Sequence, residues 1–449
     1  MVYNLNIDNF SLWRKNMKKK YALVLGGGGA KGSYQIGVWK ALREEGFEFN
    51  CVIGSSVGSL NGALVVLDLY EEALDLWNNL SIDKVVSVPK ELMIEGKFNL
   101  NKQNFDFFRL FQKKILENKG LDTTPLKGII KGLMNEEKLR QSEIDFGFIA
   151  YEVNSLKPIE LFKEDIPNGM FEEYLLGSST FPGFKATEIN GKLYLDGGLY
   201  DNLPFYLAKE RGYNKIIMVD ISGPGLYRRP EIEGTETIFI KNSVDLGNVL
   251  DFNPRLLKRN FLIGYLDAQK ILGNISGIKY FYNIDKNILE ELEDILVKEE
   301  FFREYENLFE KKIDNKNRYN IISLIREILP KEISKTKQII IPLMECTAKL
   351  LNIEVVKQYD LKEFIQIIWD KLLKIKEKDN KGINDFEKII NTVKNINPMN
   401  FFEDSTKYNI IDFLFETDNP FYIKTLNVIF KEIIPTKIFY IVLQKYFKS

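Results

Sequence analysis

Residues 21–32 read YALVLGGGGAKG, five apolar residues followed directly by a glycine-rich turn. The apolar run predicts a buried strand, and residues 33–45 after the turn repeat apolar side chains at helical spacing. Successive glycines leave backbone amides uncovered, and at the start of a helix such amides attract an anion. The amides of Gly27, Gly28 and Gly29 are therefore candidate anion-binding groups.

The same turn fits a second chemistry. It satisfies the G-x-G-x-x-G pattern at Gly27, Gly29 and Gly32, with acidic residues within 44–48 near the expected position. That pattern is typical of dinucleotide-binding proteins, in which the backbone approaches a pyrophosphate. On this stretch alone, a dinucleotide-binding oxidoreductase remains an alternative, and so does a tight turn that binds nothing.

A second strand and turn carry a candidate nucleophile. Residues 51–58 read CVIGSSVG and are followed by a helical pattern, which is the context of a G-x-S-x-G nucleophile elbow. Gly54 and Gly58 relieve crowding at the sharp turn, so that the Ser56 hydroxyl is exposed. The positive end of the following helix favours a nearby oxyanion. The alternative is an ordinary serine N-cap, and we favour the nucleophile.

The chain has 449 residues and no histidine, so no imidazole can activate Ser56. Proton transfer must use carboxylate, Lys, Tyr, Cys or water. Residues 196–204 read DGGLYDNLP and follow a strand-like run. Asp196 is the preferred base because it directly follows that strand, a more rigid mounting than the loop that carries its rival Asp201. An Asp-Gly turn without catalytic function is the alternative.

Composition excludes several classes of function. There are 62 Lys and Arg against 63 Asp and Glu, so no basic field points to nucleic acid. With no histidine and only Cys51 and Cys346, the sequence predicts no metal site, no cofactor and no disulfide framework. No signal-peptide core or run of eighteen apolar residues occurs. We expect a cytoplasmic protein without a transmembrane span; peripheral membrane contact and signal-independent export stay open.

The distribution of glycine marks a boundary in the chain. Of 30 glycines, only Gly382 lies after Gly277. Before this boundary, short apolar runs alternate with helical patterns, which predicts a parallel sheet with crossover helices. After it, segments such as 361–375 predict helices packed on helices. The apolar run at 438–443 fits either a membrane-surface helix or a buried helix, and we favour the buried helix.

The three turns together resemble the patatin-like phospholipase family. The motifs occur in that family's order: Gly26–Gly32, Gly54–Gly58 and Asp196–Gly198. Members have a glycine-rich oxyanion loop, a G-x-S-x-G serine and a D-G-[GA] aspartate, which work as a Ser-Asp dyad without histidine. Asn202 and Pro204 also fit the family pattern D-G-G-x-x-x-N-x-P. The resemblance covers residues 21–220 and does not extend to the helical region.

The resemblance implies a three-layer α/β/α fold with a mainly parallel sheet. We expect this domain over residues 1–283, with an appended segment after about residue 221, and an all-α region of unknown role over 284–449. The implied activity is a serine acyl hydrolase that cleaves fatty-acyl esters of (phospho)lipids, with a lipid or membrane surface as partner. A catalytically inactive scaffold is the further alternative, and the oligomeric state is open.

The resemblance also assigns roles to single residues. Ser56 and Asp196 correspond to the catalytic dyad, and Lys31 stands where the family has a basic residue, which suggests contact with a negatively charged substrate. The oxyanion loop corresponds to Gly27, Gly28 and Gly29. The residues expected to support the motifs are Gly26, Gly32, Gly54, Gly58, Gly197, Gly198 and Asn202.

Overall fold

A computed structural model describes residues 20–88, 93–94, 97–98, 119–298, 318–329, 338–377 and 431–448. The chain divides into two compact units, residues 1–273 and 274–449. We propose these units as its domains. The proposed boundary lies before Asn274 rather than after residue 283, because Tyr280 and Tyr282 pack into the core of the second unit.

The first unit is a central sheet flanked by helices, as the sequence predicts. Its strands are β1 (Lys20–Leu25), β2 (Glu48–Ser55), β3 (Met93–Ile94), β4 (Lys97–Phe98), β5 (Asp145–Glu152), β6 (Lys157–Phe162), β7 (Thr187–Ile189), β8 (Lys192–Asp196), β9 (Lys215–Asp220) and β10 (Glu236–Lys241). The main sheet has the order β10-β9-β1-β2-β5-β8-β7, and β6 also pairs with β5. The five strands from β10 to β5 are parallel, whereas β6, β7 and β8 pair antiparallel.

Helices cover both faces of this sheet. They are α1 (Ser33–Glu44), α2 (Val57–Val66), α3 (Tyr70–Asn79), α4 (Thr124–Leu133), α5 (Glu136–Gln141), α6 (Phe171–Ser178), α7 (Phe205–Glu210) and α8 (Pro254–Ile271). Alternate residues of a strand point to opposite faces. In β1, Ala22 and Val24 belong to a core shared with α7, whereas Leu23 and Leu25 lie beside residues of α1. The predicted three-layer α/β/α architecture is therefore confirmed.

The segment after β9 belongs to the same unit. Its long helix α8 packs closely on α1, because glycines face each other's backbone at the crossing. A Cβ added at Gly37 would lie 1.9 Å from the carbonyl oxygen of Phe261, and one at Gly264 would lie 2.0 Å from that of Tyr34. No larger residue fits at either position without moving a helix.

The second unit is mainly helical. Its described helices are α9 (Lys286–Leu296), α10 (Arg318–Ile328), α11 (Ile340–Leu350), α12 (Leu361–Glu377) and α13 (Ile433–Tyr446). Among the described residues of this unit, a short parallel strand pair departs from the predicted all-α structure: β11 (Phe281–Tyr282) with β12 (Gln358–Tyr359). Helices α11 and α13 are buried over almost all their length and form the centre of its core.

The last apolar run of the chain is part of that core. Residues 438–443 lie in α13, and all six are buried. The favoured interpretation, a buried helix rather than a membrane-surface helix, is confirmed. In the parts of the chain that the structure describes, no helix is both long and apolar enough to cross a membrane.

Candidate active site

The candidate nucleophile occupies a strained turn between β2 and α2. Ser56 has φ 56° and ψ −130°, a backbone conformation that is unfavourable for residues other than glycine. The turn is tight because the helix starts directly against the end of β1. A Cβ added at Gly58 would lie 2.2 Å from the carbonyl oxygen of Leu25. The G-x-S-x-G pattern therefore reflects a steric need. Ser56 is only 8% exposed, so its hydroxyl is not exposed to bulk solvent in the way that the sequence predicts, but lines a cavity.

Strand register brings Asp196 to this turn from 140 residues away. On β5, Ile149 pairs with Ser55, and the next residue, Ala150, pairs with Asp196. Because β8 runs antiparallel to β5, it ends level with the end of β2. The Ser56 hydroxyl donates a hydrogen bond of 2.5 Å to Oδ2 of Asp196. The two residues that the motifs single out are thus in direct contact.

The carboxylate of Asp196 is held and buried. The N–H of Gly198 donates to Oδ1 of Asp196 at 2.8 Å, and Asp196 is only 4% exposed. Burial raises the pKa of Asp196 to about 6, against the opposing effect of the hydrogen bonds from Ser56 and Gly198. The group is still ionised at neutral pH, and it is a stronger base than an ordinary aspartate.

The rival carboxylate, Asp201, has other contacts. Its Oδ1 accepts hydrogen bonds from the N–H of Leu203 at 3.1 Å and of Arg228 at 3.4 Å. Burial raises the pKa of Asp201 too, so the pKa alone does not separate the two candidates. Contact with Ser56 does separate them. Asp201 accepts from backbone N–H groups of Leu203 and Arg228, whereas Asp196 accepts from the serine hydroxyl.

The glycine-rich loop lies against the nucleophile, but one of its predicted donors is already used. A Cβ added at Gly27 would lie 2.8 Å from the Cβ of Ser56. The N–H of Gly27 donates to the carbonyl of Asn202 at 3.0 Å, so it is not available to a substrate, and this corrects the expectation from the sequence. Within the described residues, the structure gives the N–H groups of Gly28 and Gly29 no hydrogen-bond partner. The same holds for Val57, the first residue of α2.

Asn202 holds the glycine-rich loop in place. Its backbone carbonyl accepts from the N–H of Gly27, and its side-chain amide donates to the carbonyl of Gly27 at 3.1 Å. A peptide unit is planar and trans, so its C=O and N–H point in opposite directions. Holding the carbonyl of Gly27 therefore fixes the direction of the Gly28 N–H. The sequence predicted Asn202 as a supporting residue without this geometry.

The remaining motif glycines lie where backbones approach closely. A Cβ at Gly54 would lie 2.4 Å from the carbonyl oxygen of Gly58, and one at Gly197 would lie 2.3 Å from that of Ile149. Two further motif glycines are crowded by side chains. A Cβ at Gly32 would meet Val57 at 2.6 Å, and one at Gly198 would meet Asn202 at 2.7 Å. The N–H of Gly26 donates to the carbonyl of Val219 at 3.0 Å and joins the loop to β9.

Lys31 supports a neighbouring loop in this structure. Its ammonium group donates to the backbone carbonyl of Ser222 at 2.7 Å, just after β9. Ser222 itself has a positive φ of 48°. A direct role for Lys31 toward a charged substrate stays a prediction.

A buried polar network that the motifs do not include supports the loop from below. The side-chain amide of Gln35 donates to the carbonyl of Gly26 at 2.6 Å, and that of Asn61 donates to Gln35 at 2.8 Å and to the carbonyl of Gly32 at 3.0 Å. The indole N–H of Trp77 completes the network by donating to Asn61 at 3.0 Å. Such satisfied buried groups make a site rigid. In the sequence, their only signal is a polar residue on an otherwise apolar helix face.

Ser56 lies in the wall of an apolar cavity of about 100 Å³. Among the described residues, its polar lining side chains are Ser56, Asn61 and Ser179, and none of the lining residues is charged. The apolar lining comes from α2, α3, α4 and three loops: Val57, Leu60, Leu64, Leu76, Trp77, Leu80, Val85, Leu126, Ile129, Ile130, Leu133, Met134, Phe181, Phe184, Val249, Leu250 and Phe252. These residues lack a sequence motif, because any apolar side chain of suitable size can form such a wall.

The loop geometry argues against the dinucleotide alternative. A pyrophosphate needs free amides along the whole glycine-rich turn. Here the N–H of Gly27 donates to Asn202, and that of Ala30 donates to the carbonyl of Val249 at 2.8 Å. A Cβ on Gly29 would lie 2.3 Å from the same carbonyl oxygen. Among the described residues, no cluster of three or more Cys, Asp or Glu side chains could hold a metal ion.

Comparison with known proteins finds similarity over the part of the chain that carries this site. The family model for patatin-like phospholipase matches residues 23–209. Lysophospholipase NTE1 of Candida glabrata is 27% identical over 202 residues, which cover 44% of this chain and 10% of that protein. Patatin-like phospholipase domain-containing protein 6 of Homo sapiens is 27% identical over 208 residues, 44% of this chain and 13% of that protein.

Among solved structures, VipD from Legionella pneumophila covers 95% of this chain and 87% of its own, with a TM-score of 0.37 and 15% identity. The match to the two sequence relatives spans only about a tenth of their length. The family match includes the strand, turn and helix around Ser56 and extends past Asp196. Residues 23–209 of this chain are therefore similar to the patatin-like phospholipase family.

Proposed function

We propose that this chain is a serine acyl hydrolase that cleaves fatty-acyl esters of lipids through an acyl-Ser56 intermediate, with Asp196 as the base. One observation carries the proposal: the 2.5 Å hydrogen bond from Ser56 to a buried carboxylate, next to an apolar cavity. A nucleophile bonded to a base beside a cavity is the arrangement that acyl transfer needs.

The first half-reaction forms the acyl-enzyme. Ser56 Oγ attacks the ester carbonyl carbon, its proton moves to the Asp196 carboxylate, and the carbonyl oxygen takes the negative charge. The N–H groups of Gly28, Gly29 and Val57 are the proposed donors to that oxyanion. As the intermediate collapses, the C–O bond to the alcohol breaks, and the proton passes from Asp196 to the leaving oxygen.

The second half-reaction uses the same carboxylate. Water attacks the acyl carbon and gives a proton to Asp196. The bond between the acyl carbon and Ser56 Oγ then breaks, and the proton returns to the serine, which releases a fatty acid. A base works best when its pKa lies close to the working pH, and about 6 is closer to neutrality than the ordinary 3.8.

The cavity indicates the substrate class. The lining that the structure describes is mostly apolar, which suits a hydrocarbon chain. Candida glabrata NTE1, one of the relatives, is named a lysophospholipase. We therefore propose lipids that carry one acyl chain in the molecule, such as lysophospholipids, as the first substrates to test.

A fluorophosphonate probe tests the nucleophile. We expect the probe to label the native chain once, at Ser56, and Ser56→Ala to abolish labelling. Ser55→Ala is the matched control, because the Ser55 hydroxyl is buried next door and has no hydrogen-bond partner among the described residues. Labelling that survives Ser56→Ala would exclude Ser56 as the nucleophile.

A lipid panel tests the activity. Wild type and Ser56→Ala are incubated with lysophospholipids, diacyl phospholipids and neutral acylglycerols, and released fatty acids are measured by mass spectrometry. We expect release by wild type only. If Ser56 is labelled but no lipid is cleaved, the scaffold alternative gains support and the lipid assignment is wrong.

A further inference from the structure

A strap, residues 221–228, connects the two loops of the candidate active site. It follows β9 directly and lies beyond the residues that match the family model. The N–H of Leu226 donates to the carbonyl of Gly198 at 2.9 Å, and the carbonyl of Leu226 accepts from the N–H of Asn202 at 2.7 Å. At its other end, a Cβ on Gly223 would lie 2.0 Å from the carbonyl oxygen of Gly27. The strap therefore touches both the Asp196 loop and the glycine-rich loop.

Near the end of this strap, the hydroxyl of Tyr227 contacts three neighbouring residues. It accepts a hydrogen bond of 2.9 Å from the side-chain amide of Asn202. Its own proton has two acceptors in reach, the carbonyl of Gly223 at 3.0 Å and Oδ1 of Asp220 at 3.2 Å. Asp220 is buried, and Lys241 forms a salt bridge of 2.8 Å with its Oδ2. Tyr227 is 44% exposed as a residue, and its hydrogen bonds to the site are all made by the hydroxyl.

The contacts form a chain that ends at an oxyanion donor. An Asn side chain has two N–H groups. In Asn202, the structure directs them to Tyr227 at 2.9 Å and to the carbonyl of Gly27 at 3.1 Å. Without the tyrosine hydroxyl, the amide loses one of the two partners that set its orientation. Since the peptide is planar and trans, the direction of the Gly27 carbonyl sets that of the Gly28 N–H.

We propose that Tyr227 is a positioning residue, which aligns the Gly28 N–H for the oxyanion through the side chain of Asn202. The inference rests on the proposed function and extends it to a segment outside the family match. It predicts that the tyrosine hydroxyl affects the rate of attack by Ser56 and leaves acyl-chain binding unchanged, because Tyr227 does not line the cavity.

Tyr227→Phe tests this, because it keeps the ring and removes the hydroxyl. The readout is the rate of fluorophosphonate labelling. In that reaction, the Ser56 Oγ–P bond forms, the P–F bond breaks, fluoride leaves, and the proton moves to Asp196. We expect labelling and kcat to fall about tenfold, the usual effect of one lost hydrogen bond, with KM unchanged. The matched control is Tyr213→Phe, which removes a hydroxyl that bonds Asp145 at the start of β5, away from the end of β5 that pairs with Asp196, and we expect it to keep the wild-type rate.

A second measurement separates positioning from stability. If Tyr227→Phe only loosens the fold, the labelled fraction falls while the labelling rate constant of the remaining molecules stays at the wild-type value, and the proposal is wrong. We expect complete labelling at the lower rate. In the Asn202→Ala background, Tyr227→Phe should cause no further loss, because its effect passes through Asn202.

The outcomes also distinguish the two proposals. A Tyr227→Phe rate within twofold of wild type, with wild type labelled at Ser56, overturns the positioning role alone. An additive loss in the double variant does the same. A wild-type chain that is not labelled at Ser56 overturns the proposed function, and with it the basis of this inference.

Discussion

Replacing Asp196 with Asn should stabilise the protein while it removes activity. In the folded state, burial raises the pKa of Asp196 to about 6, whereas the ordinary value is 3.8. The difference of about 2.2, at about 1.36 kcal/mol for each unit of pKa, corresponds to about 3 kcal/mol. Above pH 6, that free energy opposes folding, because the folded protein must bury an ionised carboxylate. An uncharged amide of the same shape removes this cost.

The sign follows from proton binding. Between about pH 4 and pH 6, the folded state holds the Asp196 proton and the unfolded state does not. The contribution of this group to the free energy of unfolding therefore falls as the pH rises through this window, and is constant above it. The increase in the free energy of unfolding caused by Asp196→Asn should be close to zero at pH 4 and reach about 3 kcal/mol at pH 7.

The local contacts allow the substitution. The amide oxygen can accept from the N–H of Gly198, as Oδ1 does now, and the amide nitrogen can donate to Ser56. Urea unfolding of both proteins at pH 4 and pH 7, followed by circular dichroism, measures the difference. At pH 7, the urea midpoint of Asp196→Asn should lie above that of wild type. Asp201→Asn serves as the control for activity, since its amide oxygen can keep the bonds to Leu203 and Arg228.

Two results would refute this reasoning. A variant that is no more stable than wild type at pH 7 would mean that the buried carboxylate does not oppose folding. An equal increase in stability at pH 4 and pH 7 would mean that the increase does not arise from the ionisation of Asp196. Activity of Asp196→Asn should be lower by about 10²–10⁴-fold, the usual contribution of a general base. Near-normal activity there, with loss in Asp201→Asn, would move the role of base to Asp201.

The other predictions concern pH, backbone strain and the cavity. Because Asp196 must be ionised to accept the Ser56 proton, kcat/KM should fall tenfold per pH unit below about 6; a midpoint near 4 in the pH–rate curve would contradict a buried base. Ser56→Gly should be about 1–2 kcal/mol more stable than Ser56→Ala in urea unfolding, since only glycine relieves the strain at φ 56°, and equal stability would argue against strain. Ile129→Phe adds a ring to the cavity wall and should lower kcat/KM about tenfold for long-chain esters but not for a butyrate ester; an equal loss for both would show that Ile129 does not limit the chain.

Local patterns made much of the fold and site predictable. The strand, glycine-rich turn and helix at residues 21–45 depend on apolar periodicity and on the steric freedom of glycine, and both are written in neighbouring residues. The elbow around Ser56 is predictable for the same reason, since Gly58 must pass within contact of Leu25. The missing histidine likewise restricts the candidate base to a carboxylate, Lys, Tyr, Cys or water.

Long-range contacts limited the remaining predictions. The N–H of Gly27 is indistinguishable in sequence from that of Gly28, and only the approach of Asn202 occupies one and leaves the other open. The cavity wall combines apolar residues of α2, α3, α4 and three loops, each of which reads as ordinary core. Tyr227 lies in a segment without a motif, and its role becomes visible only through its contact with Asn202.

The amino-acid sequence alone therefore predicts the serine turn and the glycine-rich loop, because each follows from the backbone freedom and side chains of a few adjacent residues. It also limits the chemical type of the base, because the chain has no histidine. The tertiary structure decides which carboxylate meets Ser56, which amides stay open to an oxyanion, and what shape the cavity has. These depend on the register of β8 along β5 and on the path of the strap, which bring together residues more than a hundred positions apart.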